Sequence, residues 1–128
     1  MKRLLATLAL ATVALAAAAC SSTSAAGATA PAVPADPNAP AISANNLRFD
    51  QASVTVPAGK AFQLTFTNHE GAPHNVAIYS DASAASNLFR GDIVSGGSTV
   101  YNVPALPAGS YFFRCDVHPD MQGTITAQ

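Results

Sequence analysis

Polar and apolar residues alternate most cleanly from Phe62 to Thr67. Phe62, Leu64 and Phe66 share one side; Gln63, Thr65 and Thr67 share the other. A period of two predicts a strand with one face against a core. Shorter β-like runs surround it. Ile42 to Asp50 alternates loosely and ends in Leu47-Arg48-Phe49. Ser53-Val54-Thr55-Val56 is stopped by the turn Pro57-Ala58-Gly59-Lys60. His74 to Tyr79 opposes Asn75, Ala77 and Tyr79 to Val76 and Ile78. Ile93-Val94 and Thr99 to Val103 bracket the turn Ser95-Gly96-Gly97-Ser98. Tyr111 to Cys115 and Gly123 to Ala127 follow the break at Pro104 to Gly109. Asp81 to Phe89, rich in Ala and Ser, reads as a short helix or an irregular excursion.

Seven or eight short strands separated by turn signals predict an all-β sandwich, and no long 3.6-residue period competes with it. In the strand from Tyr111, the residues Tyr111, Phe113 and Cys115 have the same parity. That places the thiol on the core face with two aromatic rings, while Phe112 and Arg114 point away.

The N-terminal third has a different pattern. Met1-Lys2-Arg3 is a positive start, and Leu4 to Ala19 is an apolar run ending in small residues. Residues 1–19 read as a signal peptide, too short and too weakly apolar for a membrane span. Cys20 follows at once and resembles the acylated first residue of a bacterial lipoprotein, although Ala17 stands where such signals usually carry Leu. Ordinary cleavage near Ala19, or an uncleaved anchor, are the alternatives. Lipidation of Cys20 is favoured, because an unpaired exposed thiol is a liability in an exported protein. Residues 20–40 contain four prolines, many small residues and one charge, Asp36. Such a segment buries no core and reads as a flexible tether. The folded domain is then 41–128, one domain on the outer, periplasmic or extracellular, face of a bacterial membrane.

Charge narrows the partners. Without residues 1–19, four cations (Arg48, Lys60, Arg90 and Arg114) face seven acids, a net of −3. No basic patch suits nucleic acid. A monomer is expected.

The chemistry concentrates in Tyr111 to Gly123, YFFRCDVHPDMQG. Cys115, His118 and Met121 recur at every third residue. A thiolate, an imidazole and a thioether suit copper better than other common metals. Each alone has a plainer reading: a buried small Cys, a surface His, a packing Met. Together, at a strand end, they predict a metal site. The missing ligand is assigned to His74, since neighbouring loops of a Greek-key sandwich cluster at one end. His69 is the competitor but lies in a polar loop beside Glu70. Cys115, His118 and His74 with an axial Met121 form the donor set associated with blue-copper electron transfer. Gln122 is the alternative axial donor.

Cys115-Asp-Val-His118-Pro-Asp-Met121, with Pro73-His74-Asn75 far upstream, resembles the type 1 copper site of the cupredoxins. The short CxxHxxM loop is similar to that of amicyanin. The resemblance spans 41–128 and implies a Greek-key β-sandwich holding one copper ion that cycles between Cu(I) and Cu(II). It implies that Asn75 hydrogen-bonds to the loop bearing Cys115, and that the His118 edge meets redox partners such as a cytochrome or an oxidase. Asp116 stands where plastocyanin-like members often carry a hydroxyl residue. A binuclear centre needs a second Cys in the loop, which is absent.

The expected function is electron carriage rather than an enzyme activity, since three histidines are too few for multicopper chemistry and no oxyanion-hole segment is visible. The alternative is a copper carrier that delivers metal to an extracytoplasmic oxidase. Two methionines in the whole chain weigh against a Met-rich Cu(I) carrier.

Overall fold

The computed structural model describes residues 36–128. The expected signal peptide, the Cys20 acylation site and the tether up to residue 35 lie outside the described residues. Nine strands follow: β1 (Ala41–Asn45), β2 (Arg48–Phe49), β3 (Ser53–Val56), β4 (Phe62–Asn68), β5 (Ala77–Tyr79), β6 (Asn87–Arg90), β7 (Gly97–Val103), β8 (Gly109–Arg114) and β9 (Gln122–Ala127). They form two sheets, in the orders β2-β1-β4-β7 and β3-β9-β8-β5-β6. β1 runs parallel to β4, and β3 parallel to β9; the other pairs are antiparallel. Parallel neighbours cannot be joined by a tight hairpin. The chain therefore crosses repeatedly between the sheets, and the all-β sandwich expected from the sequence is observed.

The alternation in β4 becomes the centre of the core. Phe62, Leu64 and Phe66 are buried, while Gln63, Thr65 and Thr67 are half-buried. Leu64 and Phe66 belong to one buried cluster with Ile42, Tyr101 and Val103 of their own sheet, and Val54, Ile78, Phe113 and Ile125 of the facing one. Phe66 stacks on Tyr101 with ring centroids 5.8 Å apart. Each such large apolar side chain contributes about 1.5–3 kcal/mol by leaving water.

Four local readings change. Ile93-Val94 forms no strand, Val94 being a lone bridge partner, and β7 already begins at Gly97 inside the expected turn. Ile42 to Asp50 is two strands, because Asn46 and Leu47 both adopt positive φ (53° and 56°) and turn the chain back on itself. Within Asp81 to Phe89, the Ala/Ser-rich part is a turn, where Ser83 N–H donates to the Asp81 carboxylate (2.9 Å). The chain then pairs along β5 as the edge strand β6. From His74 to Tyr79, only the last three residues belong to a strand. His74 instead makes an isolated bridge with Val94. All six residues are buried, so the expected two-face alternation is absent. The second face is also covered there: Asn75 hydrogen-bonds to the Asp116 and Gly91 backbones, and the Tyr79 ring lies against Arg114 and Phe112 of β8.

Register fixes one end of the sandwich. Ala77 of β5 lies opposite Arg114 of β8, which lies opposite Gln122 of β9. The residues just before β5, just after β8 and just before β9 therefore meet at the same end.

Candidate metal centre

Cys115 leaves β8 on the core side, as the parity of Tyr111, Phe113 and Cys115 predicts. Phe113 and Cys115 are both fully buried. The loop after it is closed by its own backbone: Cys115 N–H donates to Met121 C=O, and Met121 N–H to His118 C=O, both at 2.9 Å. These two bonds hold the three-residue spacing of Cys115, His118 and Met121 as a tight turn. Pro119 fixes its own φ and restricts His118 before it. Met121 is buried in the core cluster, and His118 is half-buried.

His74 reaches the same place from a distant segment. Its backbone is tied to Val94 in both directions, His74 N–H to Val94 C=O (3.1 Å) and Val94 N–H to His74 C=O (2.8 Å). The loop before it is held by Asn68, whose Nδ2 donates to the carbonyls of Ala72 (2.7 Å) and Val94 (2.8 Å). His74 is fully buried.

The donor atoms converge. Cys115 Sγ lies 3.7 Å from His74 Nδ1 and 4.0 Å from His118 Nδ1, and the two Nδ1 atoms are 3.1 Å apart. His74, Cys115 and His118 form the His/Cys/acid group among the described residues able to hold a metal ion. His69, the competitor for the first histidine, is exposed and outside it.

The tautomer of His74 follows from its other nitrogen. Nε2 is 2.9 Å from Glu70 Oε1. An ionised carboxylate only accepts, so Nε2–H donates, and in the neutral imidazole it is Nδ1 that offers a lone pair toward Cys115 and His118. The same Glu70 oxygen accepts the Leu47 N–H (2.9 Å). That backbone bond is the largest influence holding the Glu70 carboxyl below its ordinary range; burial opposes it, and the His74 bond adds to it. A thiol and two imidazole nitrogens thus face one point, one imidazole oriented from behind by a carboxylate. This donor set fits a soft or borderline cation, copper above all.

Asn75 stands where the resemblance placed it. Its Oδ1 accepts the Asp116 N–H (2.8 Å), and its Nδ2 donates to Gly91 C=O (3.1 Å) and Asp116 Oδ2 (3.2 Å). Asp116 is also reached by the Tyr79 hydroxyl at Oδ1 and by Arg90 Nε at Oδ2 (2.8 Å). Burial alone would raise the Asp116 carboxyl. The bonds from Tyr79 and Asn75 and the charges of Arg90 and Arg114 outweigh it and hold the group low.

The structure therefore gathers His74, Cys115, His118, Met121 and Asn75 at one end. Sequence reasoning missed Asn68, Glu70, Tyr79 and Arg90. The only signal for Glu70 was its place four residues before His74, and Tyr79 looked like an ordinary strand aromatic.

Comparison with known proteins agrees with this geometry. Residues 8–127 match the family model of the cupredoxin-like domain. Plastocyanin A/B of Petroselinum crispum is 31% identical over 86 residues, covering 62% of this chain and 87% of the relative. Amicyanin of Paracoccus versutus is 30% identical over 96 residues, covering 75% of this chain and 68% of the relative. The crystal structure of that amicyanin superposes with a TM-score of 0.58 at 26% identity, over 73% of this chain and 84% of the other. Reduced auracyanin from Roseiflexus castenholzii has a TM-score of 0.61 at 23% identity, over 69% of this chain and 94% of the other, a likeness of fold. A family match over most of the chain, on a sandwich that gathers two histidines and a cysteine at one end, means that the chain belongs to the cupredoxin-like family and is a blue copper protein with one type 1 copper site.

Proposed function

We propose that the protein is an exported electron carrier in which His74, Cys115, His118 and Met121 hold the copper and Asn75 ties the first-histidine segment to the Cys115 loop. The observation that carries this reading is the convergence of two buried donors and one half-buried one, with His74 oriented by Glu70. Bound copper supplies a one-electron Cu(I)/Cu(II) couple. The chain's own residues limit rearrangement around it. Cys115 sits on a closed turn, His74 is pinned by Val94 and Glu70, and the Asn75 amide joins the two segments. Donors held this firmly move little when the charge at the site changes. The relatives are plastocyanins and amicyanins, which supports electron carriage over metal delivery.

His118 is half-buried, whereas His74 is enclosed, so the His118 edge is the port toward redox protein partners. Exposed Pro73, Val117 and Pro119 give its surroundings an apolar character. In the same reading residues 1–19 are a signal peptide, Cys20 is acylated, 20–40 is a tether and 41–128 is the redox domain outside the cytoplasmic membrane. Pro40 C=O accepts the Thr65 N–H (3.0 Å), so the pairing of β1 with β4 is continued one residue before β1.

The test is a pair of assays on the copper-loaded protein. Reversible one-electron voltammetry with rapid electron exchange with a cytochrome is expected. Transfer of copper to an apo-oxidase without electron exchange would favour the carrier reading instead.

A further inference from the structure

Asp116 is the charged side chain next to the thiolate position, and it is held from four directions. Tyr79 donates to Oδ1; Asn75 Nδ2 and Arg90 Nε donate to Oδ2. The Arg114 guanidinium lies 5.0 Å over the Tyr79 ring, with its Nε 3.9 Å from Asp116 Oδ1 and free of any hydrogen bond. Arg90 Nη2 donates in turn to the Tyr79 hydroxyl (3.4 Å). Tyr79 is 2% exposed, so the ring is locked beneath the carboxylate. The Asp116 side chain is 21% exposed and that of Arg90 60%. The negative charge is therefore fixed near the core, while one compensating charge is largely in water.

This arrangement exceeds what holding the loop requires. The Asp116 backbone N–H already joins the loop to Asn75. A hydroxyl at position 116 would serve for a further hydrogen bond. A carboxylate adds a charge one residue from the cysteine, in surroundings where charges interact more strongly than in water.

We infer that Asp116, graded by Tyr79 and Arg90, is a positioning residue that sets the reduction potential of the site by favouring its more positive, oxidised state. The inference rests on the copper reading above. Removing the negative charge raises the potential. Removing the opposing cation, or the hydroxyl that shares the charge, lowers it. Asp120, exposed on the same loop, is screened by solvent and has a weaker effect.

The test compares Asp116→Asn, Arg90→Gln, Tyr79→Phe and the control Asp120→Asn by voltammetry, with the thermal midpoint of each copper-free protein measured alongside. Asp116→Asn is expected to raise the potential, by more than Asp120→Asn, while Arg90→Gln and Tyr79→Phe lower it. The inference is overturned by shifts of one sign in Asp116→Asn and Arg90→Gln. It is equally overturned by an Asp116→Asn shift no larger than that of Asp120→Asn, or by changes confined to the thermal midpoints. A wild-type protein without the intense thiolate-to-copper band would sink the copper reading itself. A band present in every variant without opposed shifts would sink this inference alone.

Discussion

His74 Nε2 lies 2.9 Å from Glu70 Oε1, and the same oxygen accepts the Leu47 N–H. One carboxylate thus connects the buried imidazole to the turn between β1 and β2. A carboxylate behind a ligating imidazole fixes its tautomer and raises its basicity. Glu70→Ala is expected to weaken copper(II) binding by about 10–100-fold, with Glu70→Gln milder because the amide oxygen still accepts. Competition titration against a chelator measures this, and wild-type affinity in the Ala variant would refute it.

The turn that Glu70 holds is itself strained. Asn46 and Leu47 occupy the two positive-φ positions of a two-residue hairpin, and Leu47 is 52% exposed. Left-handed backbone costs a non-glycine residue about 1–2 kcal/mol, and an Asn-Gly pair suits this turn best. Leu47→Gly gives back part of that gain through the freer unfolded chain, a cost of about 0.5–1 kcal/mol. A net stabilisation between about 0 and 1.5 kcal/mol is expected from these two magnitudes. Chemical unfolding of the copper-free protein checks it; a lower midpoint would contradict it.

Gly91 is buried beneath Tyr101, and a Cβ there would come within 2.5 Å of the Tyr101 ring. Its N–H donates to Val76 C=O (2.9 Å), and its C=O accepts the Asn75 amide. Gly91→Ala is expected to cost about 1–3 kcal/mol, as overpacking does. It should also disturb the Asn75 amide, seen as a broadened side-chain resonance by NMR. An unchanged melting temperature would show that the ring yields freely.

Asp81 provides a pH signature away from the site. Hydrogen bonding by Ser83, then by Ser80, holds its carboxyl below the ordinary value. A carboxyl depressed in the folded state adds stability above its unfolded pKa and loses it as pH falls through the folded value. Asp81→Ala is therefore expected to lower the thermal midpoint of the copper-free protein at neutral pH. The gap should close below about pH 4. A gap independent of pH would contradict this.

Much of the fold was legible because its signals are local. The two-residue period of β4 and the parity of Tyr111, Phe113 and Cys115 both follow from strand geometry. The donors were legible because soft ligands at three-residue spacing are chemically specific. The hidden parts depend on pairings distant in sequence. Leu47 in a left-handed turn carries no sequence signal. The bond from Asn75 to the Cys115 loop spans 41 residues and was expected from the family resemblance alone, not from any local pattern. Tyr79 and Arg90 acquire their relation to Asp116 only once β5, β6 and β8 are side by side. His74 lacked the strand expected of it because its partner is the short Val94 bridge, not a neighbouring strand.

Copper binding depends most on Cys115, fully buried with its sulfur 3.7 Å from His74 Nδ1. The most direct measurement is the visible spectrum of the Cu(II)-loaded domain beside that of Cys115→Ser. An intense thiolate-to-copper band with one copper per chain in the wild type, and its loss in the variant, is the expected result. A wild-type domain without the band, or a band that survives Cys115→Ser, would contradict the account.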